Sequence, residues 1–330
     1  MITYIIRRLL AAVVLLLIVS LVTFGIFFGL PQILGSTPET MATRYVGRAA
    51  TPETVHGIAD RLGFYDPIPV QYARWVKGIF TGTDYDYGTG VDHCSTPCFG
   101  YSFITKRPVW PELLDRASVT LSLAVGAAII WLLAGVAVGV LSALKRGSIF
   151  DRAAMSVALA GVSLPIFFTG LIALVFFSYQ LHWTAPGGSF TPFADNPGEW
   201  AYNLILPWVS LALLFSAQYA RLTRAGMLET MNEDYIRTAR AKGLVERRVV
   251  VKHGLRGALT PILTIFGLDV GLLHGAFGLN GLGKYAVDAI SANDLPKVLG
   301  VTLIAAFFVV IANLIVDLMY AVVDPRVRIS

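Results

Sequence analysis

The side chains best placed to do chemical work lie in residues 234–256, DYIRTARAKGLVERRVVVKHGLR, between two long apolar runs. Over 235–242 small and basic residues alternate. Ala239 and Ala241 leave the backbone nearly bare, while Arg237, Arg240 and Lys242 carry charge outward beside Tyr235. That composition suits a helix. Gly243, lacking a Cβ, can adopt the left-handed conformation that ends one, and a second short helix is expected over 245–253, just past Leu244. Two short helices meeting at a glycine make a knob, and its chemistry is recognition of another surface, not bond making. Two other readings compete. A loop between membrane spans can be basic merely by topology, although such a loop needs neither the small residues beside Gly243 nor the apolar row Val249, Val250 and Val251. A nucleic-acid-binding helix pair is disfavoured, because both ends are tethered to apolar runs and no base-reading module surrounds them.

Motifs for catalysis are absent from the sequence. It holds no GxxxxGK[ST] phosphate loop, no HExxH and no nucleophile elbow. No catalytic residue and no cofactor bound by this chain are therefore expected, and any ATP-driven work needs a separate polypeptide. The two cysteines, Cys94 and Cys98, stand close together in HCSTPC, with His93 beside them. Three potential ligands without a fourth at a usual spacing argue against a metal. In an external loop a local disulfide is the expected state.

The elements that position these residues follow from composition. Apolar residues make up 55% of the 330 and charged ones 14%, with a mean hydropathy of +0.67, too apolar for a water-soluble chain of this length. Six spans are expected, over 9–30, 117–144, 153–181, 204–222, 258–274 and 299–323, each near the roughly 20 residues a helix needs to cross hydrocarbon. The run at 9–30 exceeds the apolar core of a secretory signal and lacks a cleavage site, so it is expected to stay attached. The basic residues Arg7, Arg8, Lys145, Arg146, Arg152, Arg221, Arg224, Arg326 and Arg328, with the 234–256 loop, then fall on one side, and both termini face the cytoplasm. The net charge of +5 is explained by this placement. The chain reads as an N-terminal span (1–30), an extracellular subdomain (31–116) carrying the cysteine pair, a transmembrane core (117–323) with the 234–256 loop inside it, and a cytoplasmic tail (324–330). Helical spacing is expected at 53–62 and 67–80 within the subdomain.

Polar residues within spans are costly, roughly 2.5–3.5 kcal/mol for a charge at mid-bilayer on insertion scales, and usually turn inward. Asp269, His274, Asn313 and Asp317 are the candidates. Asp317, near the cytoplasmic end, reads as a structural pairing partner; Asp269 either lines a pore or makes a helix-packing hydrogen bond. Pro165, with Gly170 beyond it, is expected to kink the third span, shaping either a path or a packing bend.

YIRTARAKGL, followed by a basic valine-rich segment and LRGAL, resembles the short cytoplasmic loop of ABC importer permeases, and the nearest likeness is to the first permease subunit of the dipeptide and oligopeptide family. The opening YIIRRLL, LGFYDPIPVQYARWVKGIFTG, FGYSFITKRPV and the closing NLIVDLMYAVVDPRVRIS are similar to the same family. LPQILGSTP departs from the turn expected after the first span, 83–98 looks like an insertion, and LLHGAFGLNGLG is shorter than its counterpart, so 271–281 is not carried over. The resemblance implies an all-α membrane protein, the six-helix transmembrane domain of a type I ABC importer, with a long external subdomain between its first two helices. It implies peptide as substrate, and as partners a second homologous permease, two ABC ATPase domains holding ATP and Mg, an external substrate-binding protein and the lipid bilayer, with no nucleic acid. It further implies that the knob docks in an ATPase cleft, with Arg237, Arg240 and Lys242 making polar contacts and Ala239, Ala241, Gly243 and Leu244 packing closely. Related importers carry nickel, glutathione or sugars. Outside this class, an ion-gradient-driven transporter would be expected to show internal repeats and more ionisable residues at mid-membrane, and a membrane sensor would bind ligand on its outer subdomain.

Overall fold

A backbone in hydrocarbon must satisfy its own polar groups, which makes the helix its economical form. The computed structural model describes residues 2–46, 51–86, 90–102, 104–163, 165–272 and 279–323, and helices dominate them. In chain order they are α1 (Ile2–Phe24), a π-helical segment Gly25–Gly29, α2 (Leu30–Ile33), α3 (Pro38–Val46), α4 (Pro52–Arg61) and α5 (Ile68–Thr81). Strands β1 (Thr83–Asp86), β2 (Val91–Cys94), β3 (Tyr101–Ser102) and β4 (Arg107–Pro108) precede α6 (Val109–Leu144), α7 (Ile149–Ser163), α8 (Ile166–Ala173) and a π segment Leu174–Gln180. The remainder is α9 (Pro197–Thr230), α10 (Asp234–Ala241), α11 (Glu246–Arg248), a π segment Val249–Gly254, α12 (Leu255–Leu272), α13 (Leu282–Ser291) and α14 (Leu295–Val323).

Among the described residues four helices are long and apolar enough to cross a membrane: Ile6–Ile33, Val109–Leu144, Pro197–Thr230 and Leu295–Met319. The two other expected spans correspond to a divided helix and to α12. The run at 153–181 is split, because Pro165 sits in extended conformation (φ −62°, ψ 134°) as the N-cap of α8, so the expected kink is a break. The run at 258–274 lies in α12, which starts at Leu255 and is described to Leu272; His274 lies outside the described residues, as does the tail from 324. The subdomain is also not purely helical, since β1 pairs with β2 and β3 with β4 as antiparallel hairpins. The stretch that looked like an insertion forms the first hairpin, with Thr83 opposite Cys94 and Asp86 opposite Val91. Cys94 and Cys98 are bonded, with Cα atoms 5.6 Å apart, and both are buried. The Cys98 N–H donates to the Ile79 carbonyl at 3.2 Å, tying the closed loop to the end of α5.

The chain forms two compact units. Of the described residues, those within 2–118 and 280–310 make one and those within 119–279 and 311–323 the other. In the first, the apolar end of α1 continues into an aromatic core: Phe24 stacks on Phe28 at 4.6 Å, and Met41, Ile58, Phe64, Leu295 and Leu299 close around them. A buried charged cluster joins the start of α6 to the turn before α14. Lys297 meets Glu112 at 2.6 Å with its side chain 10% exposed, Tyr285 donates to Glu112 at 2.9 Å, Thr105 donates to it at 3.2 Å, and Ser102 donates to Asp294. Burial pushes the Asp294 carboxyl above its ordinary range, with the Ser102 hydroxyl and Lys297 opposing. Removing one member of such a set costs roughly 3–5 kcal/mol, because the remaining charge is stranded. These partners also explain why α6 starts at Val109 instead of 117: its first two turns hold charges that only the folded unit neutralises.

In the second unit α9 is the axis. Gly135 and Gly139 of α6 lie against it so closely that a Cβ at Gly135 would stand 2.6 Å from the Tyr219 Cβ, and one at Gly139 2.5 Å from the Thr223 Cβ and 2.6 Å from the Ala220 carbonyl. This small-xxx-small spacing lets backbones approach where lipid offers apolar side chains no reason to leave it. Around the contact pack Trp131, Leu204, Trp208, Leu211 and Ile262. At its start α9 is capped by Asn196, whose side chain accepts from the N–H groups of Gly198 and Glu199. At the other end Arg224 grips Asp151 of α7 with two hydrogen bonds of 2.6 and 2.8 Å.

Two glycine substitutions should separate close approach from backbone freedom. Gly139→Ala is expected to lower the stability of the detergent-purified chain by about 1–3 kcal/mol through overpacking. Gly57→Ala in α4, where an added Cβ meets nothing within 4 Å, should leave it unchanged or raise it by about 0.5–1 kcal/mol. Thermal unfolding of the two variants beside the parent checks both signs.

Candidate functional site

The knob is built from the end of α9 outward. After Thr230 the chain turns through Met231 to Glu233, and α10 begins with Asp234 in its first turn, where a carboxylate opposes the positive end of the helix dipole. Its apolar face holds Ile236 and Ala239, three apart and therefore on one side, buried against Val249 with Leu244 and Met231 packed beside them. The helix ends in a two-bond Schellman turn: the Gly243 N–H donates to the Arg240 carbonyl at 2.9 Å and the Leu244 N–H to the Ala239 carbonyl at 3.4 Å. Gly243 has φ +75°, the left-handed conformation that the sequence pattern requires there. Beyond it the structure differs from the second short helix expected over 245–253. One turn, α11, passes through the π segment Val249–Gly254 and runs unbroken into α12. The knob thus has a single joint, at Gly243, and its far side is the base of α12.

An ion pair closes the joint. Arg240 donates from Nε and Nη2 to both carboxylate oxygens of Glu246, at 3.1 and 2.7 Å, and this contact holds the Glu246 carboxyl below its ordinary range. Ala239, expected on the outer surface, is 6% exposed and belongs to the knob's own core; its small side chain lets α10 settle on Val249. Tyr235, Arg237, Ala241, Lys242 and Gly243 are exposed, Leu244 is half-buried, and Val245 is 74% exposed. What faces outward is therefore a patch of small residues and one aliphatic side chain rimmed by Arg237 and Lys242. An added Cβ at Gly243 meets nothing within 4 Å, so the glycine is open to a partner.

The knob is fixed to its helices by close backbone contacts that the sequence reading missed. A Cβ at Gly226 of α9 would stand 3.3 Å from Ala258, one at Gly254 2.7 Å from the Met231 sulfur, and one at Gly257 2.9 Å from Thr230. Met227, Val250, Ala258 and Ala143 form the small core beneath. The signal was present as Gly254 and Gly257 three apart at the start of an apolar run.

Of the polar candidates in apolar helices, Asp269 accepts a hydrogen bond from Tyr219 at 2.9 Å, linking α12 to α9, and Tyr219 is fully buried beside Trp131. Asn313 is exposed and Asp317 half-buried on α14. Pro165 stands at the break between α7 and α8. Among the described residues no group of three or more His, Cys, Asp or Glu side chains is placed to hold a metal, and His93 instead contacts Asp84 at 2.6 Å.

Comparison with known proteins gives concordant matches. Residues 135–329 match the family described as binding-protein-dependent transport system inner membrane component, and residues 1–124 match the N-terminal region of such membrane components. A putative peptide transport system permease protein of Brucella abortus is 39% identical over 331 residues, covering 98% of each chain. A di/tripeptide transport system permease protein of Pseudomonas aeruginosa is 38% identical over 355 residues, and a dipeptide transport system permease protein of Escherichia coli 35% identical over 357, each covering 99% of both chains.

Gly243→Ala should strain the joint by about 1–2 kcal/mol, the cost of a left-handed conformation for a residue with a Cβ, and should speed amide exchange at Leu244 and at Val249, which packs across the joint, without changing α6. The ion pair makes a signed pH prediction. A carboxyl whose folded pKa is depressed stabilises above its ordinary value and loses that contribution as pH falls through the lowered one. Glu246→Gln should therefore melt below the parent at pH 7, and the two melting curves should converge in acid.

Proposed function

This chain belongs to the family of binding-protein-dependent transport system inner membrane components, and from that premise we propose that it is the permease subunit of an ATP-driven importer of short peptides. The observation that carries the peptide assignment is similarity over essentially the whole chain to permeases named for peptide, di/tripeptide and dipeptide transport. The knob supplies the mechanical half of the reading. With no phosphate loop of its own, the chain receives ATP-driven motion from separate ATPase subunits that hold ATP and Mg, and it shares the translocation path with a second, homologous permease. A substrate-binding protein delivers peptide from outside.

In this reading the chain lies in a bacterial cell membrane with six crossings and both termini in the cytoplasm, the third crossing being interrupted at Pro165. The knob sits in a cleft of the ATPase. Arg237 and Lys242 provide polar contacts at its edge, Ala241, Gly243, Leu244 and Val245 pack against the cleft, and Tyr235 abuts the base of α12. Arg240 and Ala239 act one step back, by holding the shape that is presented. When two ATPases close on nucleotide, the knob moves as one piece with α9 and α12 and changes which side of the membrane the path opens to. Nucleotide drives this only through its unequal affinity for the two states.

Gly243→Asp places a bulky charge on the open face of the joint. The variant is expected in the membrane at parental level, with co-purifying ATPase and peptide uptake both reduced at least tenfold in reconstituted vesicles. Parental uptake by this variant overturns the docking assignment, and failure of any short peptide to stimulate ATP hydrolysis by the parental complex overturns the peptide assignment.

A further inference from the structure

The knob is the end of α9, yet a path cannot open if α9 moves alone; other helices must travel with it. For α6 and α12 the glycine contacts explain how. Helix α7 presents a different problem. Its surface is largely apolar and much of it is exposed, Val157 and Leu159 at 64% each, and in a bilayer such side chains gain nothing by choosing a protein neighbour over acyl chains. Near its far end α7 packs on α9 by ordinary van der Waals contact, a Cβ at Gly161 reaching Ala217 at 3.7 Å, and small apolar side chains of that kind fix no register of one helix along the other.

At its near end α7 is held in another way. Asp151, in its first turn, is 3% exposed. Its two carboxylate oxygens accept from Arg224 Nε at 2.6 Å and Nη2 at 2.8 Å, and Oδ2 also accepts the Gly147 N–H at 2.9 Å. The Ser148 hydroxyl caps the Asp151 N–H at 3.2 Å. One carboxylate thereby fixes the α6–α7 turn, the start of α7 and the side of α9. Arg224 lies six residues before the end of α9, about 9 Å along the helix, and its neighbours on the same turn are the residues that Gly139 and Ala258 touch. Two-pronged charge-assisted pairing sets direction as well as distance, which apolar contact in lipid does not.

We propose that Asp151 and Arg224 are positioning residues for transport, a strut that compels α7 to follow α9 when the knob is driven. The pair touches neither substrate nor nucleotide. Without it, α9 and the knob still respond to the ATPases, but α7 and the interrupted segment beyond it lag, and hydrolysis proceeds without passage. The proposal rests on the importer reading for its drive but not on the identity of the cargo.

The test uses the full complex with its ATPases and binding protein in proteoliposomes. Asp151→Asn keeps the size and one acceptor but removes the charge. Its complex is expected to assemble and to hydrolyse ATP within about twofold of the parent, while peptide taken up per ATP falls at least tenfold. Arg224→Lys, a cation without the fork, should fall between, and the exchange Asp151→Arg with Arg224→Asp should recover part of the ratio. A cargo-independent readout accompanies these: spin labels at the exposed positions Val157 and Leu213 should keep one separation with and without nucleotide in the parent and two in Asp151→Asn. A parental uptake-to-hydrolysis ratio in Asp151→Asn overturns the strut, and so does an equal fall in uptake and hydrolysis, which is the mark of a static staple. A label separation insensitive to nucleotide in Asp151→Asn also overturns it. Absent uptake by the parent, with the label result as expected, removes the peptide reading and leaves the strut standing.

Discussion

In hydrocarbon an apolar side chain is as well solvated by lipid as by protein, so what decides the shape of the unit carrying the knob is how near other backbones can come to α9. Gly135 and Gly139 admit α6, and Gly226, Gly254 and Gly257 admit α12. At these separations dispersion and helix-to-helix polar contacts replace the hydrophobic effect as the source of cohesion. The knob inherits its stiffness from this arrangement. It is not an appendage held by its own few contacts but a continuation of two closely packed helices, α9 and α12.

Within the knob, the same economy applies on a smaller scale. Eight residues of α10 are too few for a stable helix in water. Ile236, Ala239 and Val249 bury one face, the Schellman turn satisfies the last carbonyls, and the Arg240 pair with Glu246 bridges the joint. These constraints consume the inward-facing side chains and leave Ala241, Lys242, Gly243 and Val245 outward. A surface of that kind binds through fit, since few of its groups have conformational freedom to lose.

Much of this was legible in the sequence because the signals are local. Glycine after a small, basic helix placed the joint, apolar run length placed the long helices, and two cysteines in an otherwise cysteine-free chain placed the bond. What escaped depends on partners distant in sequence. Glu112 reads as a charge before a span until Lys297 and Tyr285 are brought beside it, which is why α6 was expected to start eight residues late. Ala239 has the composition of a bare surface but the position of a core residue, and only Val249 across the joint distinguishes the two. The run at 153–181 showed its proline, but whether a proline bends or breaks a helix depends on neighbouring contacts that run length does not encode.

The cluster of Glu112, Asp294 and Lys297 has a consequence for inheritance. Glu112 stands far along the chain from Asp294 and Lys297 yet pairs directly with Lys297, so a charge lost at 112 or at 297 strands its partner. A crossover between two related genes anywhere from 118 to 280 would pair Glu112 of one parent with Asp294 and Lys297 of the other. A chimaera of that kind keeps the ion pair only if an acid at 112 meets a base at 297.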